Sequence, residues 1–202
     1  MGFDFFMKRL NIHEKILIKK IMSETLTSKN RRLKEGFFEK YINGKGIDVG
    51  CGRLYNISDD LKIHSSALAH DKDICDAHTM ELFKDEVFDY VYCSHVLEHL
   101  EDSKLAIRNW YRICKKQGHI IIAVPSKYRY EKKESLPSIW NHDHKRFYNF
   151  SQLSSEIEEA LVPNTYLIEY IKDCYENFDW GKLDPNIHSV GEYSIECVIK
   201  KI

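Results

Sequence analysis

The chain has 202 residues and a formal net charge of -1, with 43% hydrophobic and 30% charged residues. That length can bury one sizeable core, the composition is that of an ordered globular domain, and the balanced charge argues against a nucleic-acid backbone as the main partner. The six cysteines, at 51, 75, 93, 114, 174 and 197, form no Cys-x-x-Cys pair, so cysteine-based zinc or redox chemistry has no motif. No apolar run suits a signal peptide or a membrane span, and a reducing cytoplasm is the expected setting.

Residues 1–45 read as a helical extension or cap, with a break around Thr27-Ser28-Lys29-Asn30. Ile12, Ile16, Leu17, Ile21 and Met22 can share one stripe, and Leu33, Phe37, Phe38 and Tyr41 suit a second helix that Asn43-Gly44 stops. The region holds eleven Lys or Arg against five Asp or Glu. Packing over a sheet edge with solvated lysines explains this more simply than a cap that steers an anionic substrate.

Residues 46–202 read as one α/β domain. Gly46-Ile47-Asp48-Val49-Gly50-Cys51-Gly52 joins a buried strand to a glycine turn where backbone can approach a ligand. Leu61 to Leu68 is the expected second strand. Because only 12 residues separate Gly52 from His64, the crossover has room for little more than a turn of helix around Ile57 to Leu61. A short strand is expected near Cys75, with a loop presenting Asp76, and Val87 to Cys93 is the clearest central strand. Glu101 to Cys114 reads as a helix, and His119 to Val124 as a strand stopped by Pro125.

Lys127 to Phe150 is irregular, aromatic and basic, and suits a binding loop or lid. A helix from Phe150 to Ala160 and strands at Tyr166 to Ile171 and Gly191 to Lys200 complete the chain. Val198 spoils a clean polar face on the last strand, so it is expected to be covered on both sides. Strands alternating with helices predict a parallel sheet with ligands beyond its carboxyl ends.

In order and spacing, four segments resemble the Rossmann-like (class I) S-adenosylmethionine-dependent methyltransferases: residues 46–52, Cys75-Asp76-Ala77-His78, Phe88 to Leu100, and Trp110 to Pro125. The resemblance implies a seven-stranded, mostly parallel sheet in the order 3-2-1-4-5-7-6, with the last strand antiparallel and S-adenosylmethionine across strands 1 to 4. It implies that Asp48 and the turn Gly50-Cys51-Gly52 surround the methionine part, that Asp76 and Ala77 hold the adenine, and that Ser94 and His95 border methionine and substrate. The family's ribose-binding acid falls on His64 in this alignment, with Asp71 or Asp73 as alternatives.

Methyl transfer to a hydroxyl needs proximity, exclusion of water and removal of one proton. His95, His142 and His144 are the foremost base candidates, with Glu98, His99 and Asp143 beside them. His142-Asp143-His144 resembles a metal-binding cluster but lacks a third ligand in sequence, so no metal is expected there, and Arg146 suits an anion. The acceptor expected is a small or saccharide-linked molecule, with oxygen slightly preferred over nitrogen. A fold-retaining regulatory protein and an NAD(P)-dependent oxidoreductase are the alternatives, the latter lacking a full glycine fingerprint.

Overall fold

A computed structural model describes residues 11–52 and 67–202; in the first helix, side chains are described for residues 12 and 24–34. Helices α1 (Ile12–Lys34) and α2 (Phe37–Tyr41) lead into strand β1 (Gly46–Val49). Then follow β2 (Ala67–His70), β3 (Phe88–Ser94), α3 (Ser103–Ile113), β4 (Cys114–Pro125), α4 (Phe150–Ala160), β5 (Tyr166–Asp173) and β6 (Ser194–Lys201). The sheet order is β2-β1-β3-β4-β6-β5; β1 to β4 pair in parallel, and β6 runs antiparallel to both neighbours.

This is the expected architecture with one strand fewer. Among the described residues no strand forms near Cys75: residues 71–87 run as successive turns. The reason lies in α3. Trp110 donates to the Ala77 carbonyl at 3.0 Å and Asn109 to that of His78 at 2.9 Å, while Arg112 donates to the carbonyls of Thr79, Met80 and Phe83. Side chains thus satisfy backbone groups that a sheet ladder would otherwise have to pair.

Two further expectations are corrected. Helix α1 runs unbroken through Thr27-Ser28-Lys29-Asn30, because the buried Ser28 hydroxyl donates to the Thr25 carbonyl and Arg31 and Arg32 are fixed by tertiary ion pairs. The break comes at Gly36, in the left-handed region at φ 65°. The second strand ends at His70, two residues beyond the reading of Leu61 to Leu68; residues 61–66 and the expected helical turn at Ile57 to Leu61 fall outside the described residues.

The two sheet faces are closed differently. On one, Ile47, Val49, Val91, Cys93, Ile120 and Ile122 pack with Ile107, Trp110, Leu153 and Ile157 from α3 and α4. Burying each such large apolar side chain contributes about 1.5–3 kcal/mol relative to exposure. On the other, Phe37, Phe38 and Tyr41 pack on Tyr90, Tyr92, Ile121 and Val198. Beside this patch Arg31 pairs with Glu192 at 2.9 Å and Glu196 at 3.0 Å, and Arg32 takes the second oxygen of Glu196. The N-terminal helices therefore cover a face of the sheet and not its edge. Strand β6 is buried on both sides, as Val198 foretold.

No described helix is long and apolar enough to cross a membrane.

Candidate functional site

Beyond the carboxyl ends of β2, β1 and β3 lies a cleft of about 870 Å³, within the range of sites for small ligands. Each strand delivers its next residues to the rim: Asp71 after β2, Gly50 after β1, His95 and Val96 after β3. The loop of Asp76 and Ala77 forms another wall, and His99, Asp143 and Lys145 line the end beyond β3.

Gly50 is required twice. Its φ of +71° favours glycine, and an added Cβ would stand 2.2 Å from the Val96 side chain. Gly52, at φ +74°, faces open space. The backbone N–H groups of Gly50 and Cys51 both donate to the His70 carbonyl, at 2.8 and 3.0 Å, tying the turn to the end of β2. Those two amides are therefore not free to cradle a pyrophosphate, which removes support from the dinucleotide alternative.

Asp48 is buried in β1, two residues before Gly50, and is not part of the cleft lining. Burial pushes its carboxyl up to about 8, and Arg32 offsets this only in part. The Cys51 thiol is likewise pushed up, to about 11, by burial and by Asp48; it is no nucleophile at neutral pH. Asp76 is exposed, and its carboxylate accepts from the His78 backbone and ring at 2.8 and 2.7 Å, which holds it below its ordinary range. Ser94 is half-buried at the end of β3 and is not part of the cleft lining.

The position after strand 2 belongs to Asp71, which lines the cleft. His64 lies outside the described residues, and Asp73 is exposed away from the lining.

The histidines separate. His142 is exposed and does not line the cleft. His144 is buried, its Nδ1 2.5 Å from Glu131. His95 lines the cleft in the left-handed region, at φ 56°. Its Nε2 is 2.9 Å from the Ser194 hydroxyl, which donates to Glu24 at 2.7 Å. Burial disfavours charge on both partners, yet their mutual attraction draws His95 upward and Glu24 downward. Glu24 and Ser194 carry no local sequence signal, since α1 and β6 meet only in the fold. Arg146, expected to hold an anion, instead donates to the carbonyls of Leu97 and Glu101, at 3.3 and 2.9 Å. Lys127 to Phe150 contributes Asp143 and Lys145 to the cleft, while Arg129 in the same segment is anchored by a two-pronged pair with Asp173.

Comparison with known proteins agrees with this geometry. Residues 53–122 match the family described as "Methyltransferase domain". An uncharacterized protein of Methanocaldococcus jannaschii is 36% identical over 104 residues, 44% of this chain and 45% of that one, so the chain spans under half the length of this curated relative. At the level of fold, the chain is similar to a Thermotoga maritima protein described as an S-adenosylmethionine-dependent methyltransferase, possible histamine N-methyltransferase. The TM-score is 0.57 at 16% identity, over 99% of each chain. An S-adenosylmethionine-dependent methyltransferase from Archaeoglobus fulgidus gives 0.55 at 18% identity, over 92% of this chain and 99% of that one. Sheet order and the cleft at the ends of its strands agree with the Rossmann-like fold of these methyltransferases, and the central segment carries the match to the methyltransferase domain.

Proposed function

We propose that the chain transfers a methyl group from S-adenosylmethionine to a small or saccharide-linked acceptor, with oxygen preferred over nitrogen. The observation that carries this reading is the division of one cleft into two chemically different ends. At one end Asp71 and Asp76 present carboxylates, as a nucleoside's hydroxyls and exocyclic amine require. At the other, His95, His99 and Asp143 surround the space left for an acceptor. When bound, S-adenosylmethionine supplies a methyl group on a positively charged sulfur, open to in-line displacement.

The protein's own work is placement and charge. Asp71 accepts from the paired ribose hydroxyls, the Asp76–Ala77 loop brackets the adenine, and Gly50 lets the methionine part lie close to backbone. Asp48 would offer a carboxyl to the methionine part from β1, next to the glycine turn. His95, oriented by Ser194 and Glu24, forms the wall between donor and acceptor and is the group placed to receive a hydroxyl proton.

Calorimetry with S-adenosylmethionine and S-adenosylhomocysteine tests the reading. Both ligands are expected to bind the wild-type chain, and Asp71→Ala is expected to weaken binding about 10- to 100-fold, as loss of a charged hydrogen-bond acceptor does, without lowering the melting temperature. A folded wild-type chain that binds neither ligand would overturn it.

A further inference from the structure

Behind the acceptor end lies a group that the methyl-transfer reading leaves unused. Glu98 is fully buried in the short turn Leu97–His99, and neither of its carboxylate oxygens has a hydrogen-bond partner. A bare buried carboxylate is costly, by several kcal/mol after relaxation. Around its Oε1 stand three imidazole nitrogens: His95 Nδ1 at 3.8 Å, His99 Nε2 at 3.8 Å and His144 Nε2 at 3.9 Å. A shared proton would draw one ring in to about 2.7–2.9 Å. Instead the oxygen is almost equidistant from all three.

The tautomer of His144 sharpens this. Its Nδ1 is 2.5 Å from Glu131, so that nitrogen carries the proton and donates it to the carboxylate. The Nε2 lone pair then points toward the Glu98 oxygens. A lone pair facing a carboxylate is repulsive unless a proton or a metal cation lies between them. Carboxylate, histidine and a vacant centre in that order form the arrangement that orients metal-bound imidazoles. One ligand atom each from Glu98, His99 and His144 lies within 4.8 Å of the others. Ligands about 2.0–2.2 Å from one ion stand roughly 3.0–3.5 Å apart, so the ligand atoms would have to draw together by up to about 1.3 Å to close the shell.

We propose that Glu98, His99 and His144 bind one divalent first-row transition ion, positioned by Glu131, with its open side toward the cleft. Two imidazoles and one carboxylate suit Zn2+, Mn2+ or Co2+ better than Mg2+, which keeps to oxygen ligands. Three protein ligands leave a coordination position open, as in catalytic and not structural centres. His99 lines the cleft, so that position is reachable by an acceptor oxygen. The inference rests on the proposed methyl transfer for its purpose, but its ligand set stands on geometry alone. Sequence spacing concealed it: His144 was read with His142 and Asp143, whereas its partners lie at Glu98 and His99.

Equilibrium dialysis of the full chain, stripped with chelator, against Zn2+, Mn2+, Co2+ and Mg2+ tests the proposal, with metal counted by elemental analysis. One equivalent of a transition ion is expected, with Co2+ giving visible d–d absorption. Glu98→Gln and His144→Ala are expected to weaken binding at least about 10-fold, whereas the exposed His142→Ala is expected to leave it unchanged. Should either buried-site variant fail to fold, the half-exposed His99→Ala carries the same expectation. No stoichiometric binding by the wild-type chain overturns the proposal, as does affinity unaffected by these substitutions. S-adenosylmethionine calorimetry on the same samples separates the two readings: intact donor binding without metal sinks only the metal centre.

Discussion

The two faces of the sheet reach similar burial by different physics. Against α3 and α4 the seal is hydrocarbon, with Ile107 and Trp110 almost wholly excluded from water. Against α1 it depends on Arg31 and Arg32 meeting Glu192 and Glu196, all nearly inaccessible. Non-directional burial tolerates a change of shape, whereas a buried ion pair fixes register and fails abruptly when one partner is lost. The difference matters for function because α1 also carries Glu24, which reaches His95 through Ser194. The charged face holds a piece of the site in position, while the apolar face supports the strands that frame it.

The largest effect should come from breaking the charged face. Glu196→Ala leaves the buried Arg32 guanidinium without its carboxylate and takes one of Arg31's, and is expected to cost about 3–5 kcal/mol, read by urea denaturation. A loss below about 1 kcal/mol would mean that the pairs behave like surface contacts. Asp48 sharpens the comparison from between the faces. Its folded value of about 8 stands above the ordinary 3.8, so the fold prefers the uncharged acid. Its contribution is fully present below pH 3.8 and is lost progressively as pH rises toward 8. Asp48→Asn should therefore gain stability relative to wild type across that window, by up to about 1.4 kcal/mol per pH unit. Parallel pH profiles of the two proteins would remove the assignment. The smallest effect belongs to the apolar face: Ile107→Val should cost only about 0.5–1.5 kcal/mol and leave donor affinity unchanged by calorimetry.

Much of the frame was legible in the chain. β1, β3 and β4 announce themselves as apolar runs, β6 by Val198, and α4 lies where Phe150 to Ala160 reads as a helix. What escaped depended on partners distant in sequence. Thr27-Ser28-Lys29-Asn30 has the local chemistry of a break, yet ion pairs more than 160 residues away hold the helix continuous. The strand expected near Cys75 was displaced by Arg112, Asn109 and Trp110, whose side chains claim the loop's carbonyls. The site divided the same way. Gly50 and His95 follow strand ends that periodicity locates, and Asp48 lies within one of those strands. Asp71, one of the alternatives to His64, lines the cleft directly after β2, and Glu24, Ser194 and Glu98 acquire meaning only in three dimensions.

The single carbonyl of His70, receiving both Gly50 and Cys51, has a consequence for how tightly a nucleoside can be gripped. It welds the glycine turn to the residue immediately before Asp71, so those two walls of the cleft form one stiff jaw. A ligand meeting such a jaw has less disorder to remove on arrival, and more of its contact energy survives as affinity.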